Sequence, residues 1–330
     1  MSKKCVITLF DQKQDYSVAI AKLTEMGIET RWKKDEVCNS LDENIVIEHC
    51  KGYNYVIAGY EVWNKIVFKE CTDLELLVRY GAGYECINLK EAEEAGIAVA
   101  NLPGVNAETV AEQAVGLILA ACRKISFMDR LIHNGNYSDA NFTVPQLSGK
   151  TVGVLGCGKI GKNLIRMLEG FNCNFLAYDK YPDQAFAADH NVTFAGLDSV
   201  LASSDIISIH LPMLPDTKWI ICKENIDKMK EGVVIVNTSR GGLVKSQDLA
   251  YALKSGKVFA AGLDVYEDEN NIKTNNPFQN LSNVVMTPHV SSATFETYSY
   301  MMELAVEIIA DYKAGKTIKS ILNPGYVKNK

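Results

Sequence analysis

Short apolar runs alternate with amphipathic stretches along the first part of the chain. The runs are rich in β-branched and aromatic residues, which predicts β-strands. The predicted strands are Cys5–Leu9, Ile28–Trp32, Tyr55–Ala58, Leu76–Arg79 and Ile97–Ala100. Helical patterns separate them at Val18–Met26, Leu41–His49, Trp63–Phe68 and Leu89–Ala95. Strands and helices that alternate in this way are typical of α/β proteins with parallel sheets.

A second series of strands follows a break in this pattern. The break lies at Asn101–Gly104, and a long apolar-rich helix is predicted after it, over Ala107–Arg123. An amphipathic helix is predicted at the end, over Thr294–Ala314. The strands predicted between the two helices are Thr151–Leu155, Phe175–Tyr178, Ile206–Ile209, Val233–Asn237, Ala260–Leu263 and Val284–Met286. We therefore predict two α/β domains, joined by crossovers near Asn101–Pro103 and Thr294–Tyr298, which the length of 330 residues accommodates.

Composition and charge exclude several classes of protein. The 34 Lys and Arg residues against 40 Asp and Glu give a net charge of -6, which argues against a nucleic-acid partner. No apolar run approaches the ~20 residues of a membrane span, and the N-terminus has no signal-peptide pattern. The nine cysteines are scattered without a CxxC pair, which argues against disulfides and a zinc site. We expect a cytoplasmic protein without a metal.

A glycine-rich turn connects the predicted strand Thr151–Leu155 to a helical pattern at Lys162–Leu168. It has the spacing Gly156-x-Gly158-x-x-Gly161. In a Rossmann domain the first glycine permits the tight turn, the second lets backbone amides approach a pyrophosphate, and the third allows close packing of helix on strand. The helix N-terminus attracts the phosphates. We therefore predict a dinucleotide site here.

Asp179 ends the next predicted strand, about twenty residues after the turn, as the Rossmann fingerprint requires. Its carboxylate is expected to bind the adenosine ribose hydroxyls and to repel a 2′-phosphate, which favours NAD over NADP. Asp179 is also compatible with a simple turn cap, and Lys180 would soften the discrimination. Cys157, inside the turn, either packs as a small residue or has a lowered pKa at the helix N-terminus.

Three segments at the ends of later strands carry candidate catalytic residues. Ligands of open α/β sheets gather at the carboxyl ends of strands, where all three segments lie. Reduction of a 2-oxo acid needs a cation for the carboxylate and ketone, a proton donor, and a carboxylate that keeps the donor charged. Arg240, His289 and Glu269 supply these groups in turn. Taken singly, each is compatible with a solvent-facing or capping residue, so the prediction depends on their combination.

The ordered motifs of the chain resemble those of the D-isomer-specific 2-hydroxyacid dehydrogenases. The matching segments are Arg79–Glu85, Asn101–Gly104, Ala111–Gln113, Gly156–Gly161, Asp179, Asn237–Gly242, Gly262–Val265 and Thr287–His289. The resemblance implies two Rossmann-like, doubly wound parallel-sheet domains, with a discontinuous substrate domain. Residues 1–101 and 298–330 would form the substrate-binding domain, and residues 102–297 the NAD-binding domain. It also implies a homodimer.

The same resemblance implies roles for individual residues. Arg240, Glu269 and His289 would be catalytic, with His289 as proton donor and Glu269 as its partner. The cofactor would contact Thr109, Gly156, Gly158, Lys159, Ile160, Gly161, Asp179, His210, Pro212, Thr238, Ser239, Arg240, Asp264, His289 and Ser292. The substrate would contact Arg79, Tyr80, Ala82, Gly83, Arg240 and His289. Asn270 stands where the family motif usually has Pro, which makes Glu267 the competing candidate for Glu269.

The substrate is left open by the sequence. Through the segment Arg79–Gly83, the first domain resembles the phosphoglycerate and hydroxypyruvate branches more than the D-lactate branch. No cations lie around Ala58–Glu61, and the aromatic residues Tyr60, Trp63 and Tyr80 either form an apolar pocket or pack in the core. The alternatives are an NAD-binding dimeric corepressor-like scaffold and an enzyme for a non-carbon substrate such as phosphite. Glu269 argues against formate, since that branch has a neutral amide there.

Overall fold

The computed structural model describes residues 2–9, 15–32, 38, 40–137, 143–269, 272 and 274–326. The chain forms two compact units. The first unit comprises Met1–Asn106 and Thr294–Lys330, and the second comprises Ala107–Ala293. The predicted domain boundaries, after residues 101 and 297, lie a few residues from this division. None of the described helices is long and apolar enough to cross a membrane.

The first unit contains a parallel sheet whose strand order is β2-β1-β3-β4-β5. Its strands are β1 (Lys3–Ile7), β2 (Ile28–Trp32), β3 (Tyr55–Ala58), β4 (Leu76–Arg79) and β5 (Ala98–Ala100). Its helices are α1 (Ser17–Glu25), α2 (Glu43–Cys50), α3 (Lys65–Glu70), α4 (Leu89–Glu94) and, from the end of the chain, α12 (Phe295–Lys313). Apolar clusters cover both faces of this sheet, as a parallel sheet requires. Helix α12 buries Met301, Ala305 and Ile309 in one of these clusters.

The edge strand β5 is covered by a segment near the end of the chain. The amide of Leu322 donates to the carbonyl of Val99 at 2.8 Å. The side chain of Asn323, which is buried, accepts from the amide of Val99 and donates to the carbonyl of Ile97, each at 2.8 Å. A single amide side chain thus satisfies backbone groups of an edge that would otherwise lack a partner strand.

The second unit contains a parallel sheet whose strand order is β12-β11-β10-β9-β6-β7-β8. Its strands are β6 (Thr151–Leu155), β7 (Asn174–Tyr178), β8 (Val192–Phe194), β9 (Ile206–Ile209), β10 (Val233–Asn237), β11 (Val258–Leu263) and β12 (Val284–Met286). Its helices are α5 (Ala107–Cys122), α6 (Ile125–His133), α7 (Lys159–Leu168), α8 (Gln184–Asp189), α9 (Leu197–Ser203), α10 (Lys223–Lys228) and α11 (Ser246–Ser255). The strand order reverses between β6 and β9, and ligands of such sheets bind at this switch point.

The predicted fold class is confirmed, since both sheets are parallel and flanked by helices. Strand β8 is absent from the sequence prediction because its run, Val192–Phe194, is short and lies at the sheet edge, with one buried residue. The predicted strand Cys5–Leu9 begins and ends two residues earlier, at Lys3–Ile7. The first two residues of this strand are lysines, which apolar patterning does not detect.

Candidate active site

The glycine turn after β6 has the geometry that a dinucleotide site needs. Gly156 has a φ of 96°, and a Cβ there would lie 2.8 Å from the backbone of His210. A Cβ at Gly161 would lie 2.4 Å from the carbonyl oxygen of Gly156. Gly158 is exposed, caps α7, and has no atom within 4 Å of its Cβ position. The turn is therefore closed on the protein side and open at Gly158, where a phosphate can approach the helix N-terminus.

Asp179 lies directly beside this turn. One carboxylate oxygen accepts from the amide of Cys157 at 2.7 Å, and the other accepts from the amide of Tyr181 at 2.8 Å. The carboxylate therefore caps a turn and at the same time brings a negative charge to the glycine turn. Of the two alternatives for Cys157, the lowered pKa is wrong, because burial raises the pKa of its thiol to about 11. Cys157 is a small, buried packing residue.

Two buried polar atoms at the carboxyl ends of neighbouring strands have no hydrogen-bond partner among the described residues. They are Nδ1 of His210, just after β9, and Oγ1 of Thr238, just after β10. Burial lowers the pKa of His210 to about 4, so its imidazole is neutral at neutral pH, and its Nε2 lies 2.9 Å from Oγ of Ser208. A buried polar atom without a partner is costly unless a ligand satisfies it. These atoms therefore fit the hydroxyl and amide groups of a dinucleotide.

The other residues predicted to contact the cofactor also lie in the second unit, at helix starts and in the segments that follow strands. Lys159 and Ile160 begin α7, and Pro212 is exposed. The hydroxyl of Ser239 donates to the carbonyl of Leu211 at 2.5 Å. Thr109 lies in the first turn of α5, and Ser292 is half-buried beyond β12. Ser239 thus ties the segment after β10 to the segment after β9.

His289 and Glu269 form the central pair of the site. Nδ1 of His289 lies 2.9 Å from Oε2 of Glu269, and both side chains are partly exposed. The hydrogen bond to Glu269 raises the pKa of His289, against the opposing effects of burial and of the nearby positive charge of Arg240. The arrangement therefore favours an imidazolium that can give up a proton near neutral pH.

Glu267, the competing candidate, has other partners. Its Oε1 accepts from Nε1 of Trp219 at 2.7 Å, and its Oε2 accepts from the amide of Ser246 at 3.0 Å. Both oxygens of Glu267 are thus engaged away from the imidazole. The structure pairs Glu269 with His289, while Asn270 lies outside the described residues.

The position of His289 depends on the carboxylate of Asp264, which is fully buried. One oxygen of Asp264 accepts from Oγ1 of Thr287 at 2.5 Å and from the amide of Val290 at 3.0 Å. The other accepts from the amide of Ser291 at 2.9 Å and from the hydroxyl of Ser291. The amide of His289 also donates to the carbonyl of Asp264 at 2.9 Å. Asp264, which the sequence placed at the cofactor, thus clamps both sides of the His289 loop.

His289 has a left-handed backbone conformation, with a φ of 54°. A non-glycine residue in this region is uncommon and is held there by its surroundings. The donors that flank His289 in sequence, Thr287 and Val290, both bond to Asp264. The sequence analysis did not predict this clamp. The one feature of the sequence that could indicate it is an Asp, Asp264, directly after an apolar strand.

Arg240 follows β10 in a turn that Asn237 organises. Asn237 is fully buried, accepts from the amide of Ser239 at 3.0 Å and donates to the carbonyl of Arg240 at 2.9 Å. Nη1 of Arg240 donates to the carbonyl of Ser239 at 2.9 Å. A Cβ at Gly241 would lie 1.8 Å from the carbonyl oxygen of Tyr266, which explains the glycine after Arg240. The hydrogen bonds of this turn fix the backbone of Arg240 and orient its guanidinium.

The predicted substrate residues of the first unit lie at the carboxyl end of β4. Nη1 of the buried Arg79 donates to the carbonyl of Tyr80, and the guanidinium lies 4.1 Å from the ring centre of Tyr60. Asn101 donates to the carbonyl of Ala82 at 2.7 Å. Gly81 has a φ of 138°, so this turn requires glycine. Gly83 is half-buried.

The sequence left two alternatives for the aromatic residues around this turn, an apolar pocket or packing in the core. Trp63 is fully buried in a core cluster. Tyr80 is buried, and its hydroxyl donates to the carbonyl of Tyr298 at 2.6 Å. Tyr60 remains half exposed. Trp63 and Tyr80 are therefore packing residues.

The chain is similar in sequence and in structure to several known proteins. Residues 115–291 match a family model described as D-isomer specific 2-hydroxyacid dehydrogenase, NAD binding domain. A hydroxypyruvate reductase from Blautia hydrogenotrophica is 35% identical over 261 residues, which cover 77% of this chain and 80% of that protein. A glyoxylate reductase from Korarchaeum cryptofilum is 36% identical over 300 residues, which cover 89% and 90%. D-lactate dehydrogenase from Escherichia coli has a similar structure, with a TM-score of 0.84, 29% identity and coverage of 97% and 99%. Arg240, Glu269 and His289 all lie within the segment that matches the family model.

Proposed function

The chain belongs to the D-isomer-specific 2-hydroxyacid dehydrogenase family and is an NAD-dependent oxidoreductase, and we propose that it reduces a small 2-oxo acid to the D-2-hydroxy acid. The observation that carries this proposal is the hydrogen bond between His289 and Glu269. It supplies a charged proton donor in the unit that contains the glycine turn and Arg240. Bound NADH supplies the hydride of the reaction.

In the proposed mechanism His289 gives the proton. Its Nδ1 is engaged by Glu269, which leaves Nε2 to donate to the ketone oxygen as that oxygen gains negative charge. The carbonyl carbon receives the hydride and the oxygen receives the proton, so the product is the neutral alcohol group. In the reverse direction His289 accepts the proton and must start neutral. Glu269 stabilises the charged imidazole and fixes its orientation.

We propose that Arg240 binds the carboxylate and polarises the ketone. A guanidinium offers two parallel donors, which suit the carboxylate and carbonyl oxygens of a 2-oxo acid. The backbone amides at Ala82 and Gly83 are the second proposed ligand of the carboxylate. The turn that contains them has the consecutive amides and the positive φ at Gly81 that are typical of anion-binding nests.

We propose that the cofactor binds along the switch point of the second sheet. Gly158, Lys159 and Ile160 would hold the pyrophosphate, and Asp179 would hold the adenosine ribose. The buried polar atoms of His210 and Thr238 would face the remainder of the dinucleotide. NAD is proposed over NADP, because a 2′-phosphate would approach the Asp179 carboxylate.

The proposed substrate class is a small, polar 2-oxo acid such as hydroxypyruvate or glyoxylate. Two of the relatives are named for these substrates. The burial of Trp63 and Tyr80 supports a small substrate, since neither ring is available for a bulky side chain. The test is NADH oxidation followed by ultraviolet absorbance, with hydroxypyruvate, glyoxylate, pyruvate, 2-oxoisocaproate, phenylpyruvate and 3-phosphohydroxypyruvate offered in turn.

The same assay tests the catalytic residues through matched variants. His289→Gln and Arg240→Ala are each expected to lower kcat by about a thousandfold or more while NADH still binds. The control is His190→Gln, because His190 forms the same kind of pair with Glu169, at 2.6 Å, elsewhere in the second unit. Near-normal turnover by His289→Gln would exclude His289 as the acid. Tight NADH binding without turnover of any 2-oxo acid would refute the proposed substrate class.

We propose that the protein is a homodimer. Helix α6 buries none of its residues, although Ile125 and Ile132 are apolar and each is at least half exposed. Exposed apolar residues on one helix favour an interface. Light scattering after size exclusion is expected to give twice the chain mass of 36.4 kDa. Ile132→Glu is expected to yield the monomer mass, and a wild-type monomer would refute the proposal.

A further inference from the structure

The first unit contains a buried acid that the proposed mechanism does not use. Glu61 follows β3 by three residues and is fully buried. Neither of its carboxylate oxygens has a hydrogen bond of normal geometry among the described residues, although the side chains of Thr8 and Trp63 are close enough to lower its pKa against the effect of burial. A Cβ at Gly59 would lie 3.0 Å from one of them, so this acid is enclosed by its own loop. An ionised carboxylate in such a place is costly, and burial raises the pKa of Glu61 to about 7.

Arg79 is a cation on the strand next to the one that Glu61 follows. It ends β4, in register with Ala58 on the neighbouring strand β3. The positive charge of Arg79 opposes the effect of burial and lowers the pKa of Glu61, which places the two groups within electrostatic reach. Nε of Arg79 is buried and has no partner in the part of the chain that the structure describes.

The guanidinium of Arg79 is held directly behind the Gly81–Gly83 turn. Its Nη1 donates to the carbonyl of Tyr80 and lies 3.2 Å from the Cβ position of Gly81. The ring of Tyr60 covers its other side at 4.1 Å. These contacts fix the charge next to the amides that are proposed to bind the substrate carboxylate. Arg79 therefore contributes positive potential to that turn without being exposed itself.

Among the described residues with a shifted pKa, two thiols also feel the charge of Glu61. A hydrogen bond with Cys38, together with burial, raises the pKa of Cys50, and burial raises the pKa of Cys86. Both thiols are therefore neutral across the physiological range. The charge of this cluster changes near neutral pH through Glu61.

We infer that Glu61 controls, through Arg79, how strongly the Gly81–Gly83 turn attracts the carboxylate of the substrate. This inference rests on the proposed function, in which that turn binds a 2-oxo acid. When Glu61 is protonated, the charge of Arg79 is uncompensated and attracts the anion. When Glu61 ionises, the pair is neutral and the attraction is lost. Glu61 is a positioning and charge-setting residue, not a catalytic one.

The test is the pH dependence of KM for the 2-oxo acid that is turned over best. In the wild type, KM is expected to rise on the order of fivefold between about pH 6 and pH 8, as one buried charge is cancelled. In Glu61→Gln, KM is expected to stay at its low-pH value throughout. Glu94→Gln, which removes an exposed acid of the same unit, should follow the wild type. Any effect of His289 on KM is common to all three proteins, and kcat is expected to keep its profile.

A second variant tests the role of the positive charge of Arg79. Arg79→Gln is expected to raise KM at every pH and to move the rise of KM with pH to higher pH, because the charge of Arg79 lowers the pKa of Glu61. NADH affinity is expected to stay unchanged, because the cofactor turn lies in the second unit. Equal KM profiles for the wild type and Glu61→Gln would overturn the inference, as would a uniformly high KM in Glu61→Gln, which would indicate a structural role. Absence of all 2-oxo acid turnover in the wild type would overturn the proposed function itself, and this inference with it.

Discussion

His289 and Glu269 are joined by a hydrogen bond of 2.9 Å between Nδ1 and Oε2. Surface ion pairs contribute little to stability, and this one is partly exposed. Its importance lies in the protonation state of His289, whose pKa it raises. The left-handed backbone of His289 and the Asp264 clamp hold the imidazole where this bond can form.

Glu269→Gln is expected to move the pH profile of reduction to lower pH. Without the Glu269 carboxylate, the charge of Asp264 still raises the pKa of His289, while burial and the charge of Arg240 lower it, so the pKa is expected to fall. Reduction requires the protonated imidazole, so its rate would fall at a lower pH than in the wild type, while oxidation would gain at lower pH. The measurement is kcat against pH in both directions. Glu267→Gln is the control and should keep the wild-type profile, whereas an unshifted profile for Glu269→Gln would contradict the pairing.

Asp264→Asn is expected to lower both stability and turnover. The carboxylate accepts bonds from Thr287, Val290 and Ser291, and an amide cannot accept all of them. The expected loss is about 1–3 kcal/mol in the free energy of unfolding, from buried donors without partners. Turnover should fall further, because His289 is displaced. Denaturant unfolding and kcat measure the two effects, and Ser291→Ala, which removes one donor, should have a smaller effect on each.

Gly158→Ala is expected to separate cofactor binding from folding. Gly158 has a φ of -78° and no atom within 4 Å of its Cβ position, so alanine fits the free protein. The added methyl group would stand where the pyrophosphate approaches, and the Kd for NADH is expected to rise about tenfold or more. Gly156→Ala, with its left-handed φ and a clash against His210, should instead lower the melting temperature. Unchanged NADH affinity in Gly158→Ala would place the cofactor elsewhere.

Asp179→Ser is expected to relax the choice between NAD and NADP. The substitution removes the negative charge beside the turn and keeps a short polar group. The ratio of kcat/KM with NADH to that with NADPH should fall by at least about tenfold. Lys180, whose Nζ lies 5.9 Å from the ring centre of Tyr181, would then be a cation beside the phosphate. An unchanged ratio would show that Asp179 caps the turn and does not select the cofactor.

Glu61 is expected to make stability depend on pH. Its pKa is about 7 in the folded protein against 4.5 as the reference, so the folded state binds more protons between these values. Its effect on stability is most favourable below about pH 4.5, declines as the pH rises to about 7, and then levels off. At about 1.4 kcal/mol per pKa unit, the loss is on the order of 3 kcal/mol. Denaturant unfolding of the wild type and Glu61→Gln at several pH values measures it, and parallel curves would refute it.

The sequence was a sufficient guide wherever a pattern is local. The strand Thr151–Leu155 and the glycine turn after it were predicted at the positions where they occur, because chain spacing alone determines them. The fold class followed from the same alternation of strands and helices. The short edge strand β8 lacks such periodicity and was missed.

The site was predicted less completely, since its contacts join distant segments. The sequence left Glu267 as a competing candidate for Glu269, and their partners Trp219 and His289 distinguish them in space. The clamp by Asp264 joins residues more than twenty positions apart. The burial of Trp63 likewise depends on tertiary packing, which composition does not encode.

The cover on strand β5 has a consequence for the order in which the protein forms during synthesis. Val99 and its partner Asn323 are 224 residues apart, so the edge of the first sheet emerges from the ribosome long before its cover. The whole second unit is translated in between. Throughout that interval the nascent sheet carries an open edge, which is a template for wrong pairing with other chains. Folding of the first unit is therefore completed after translation of the second, although the first unit contains the beginning of the chain.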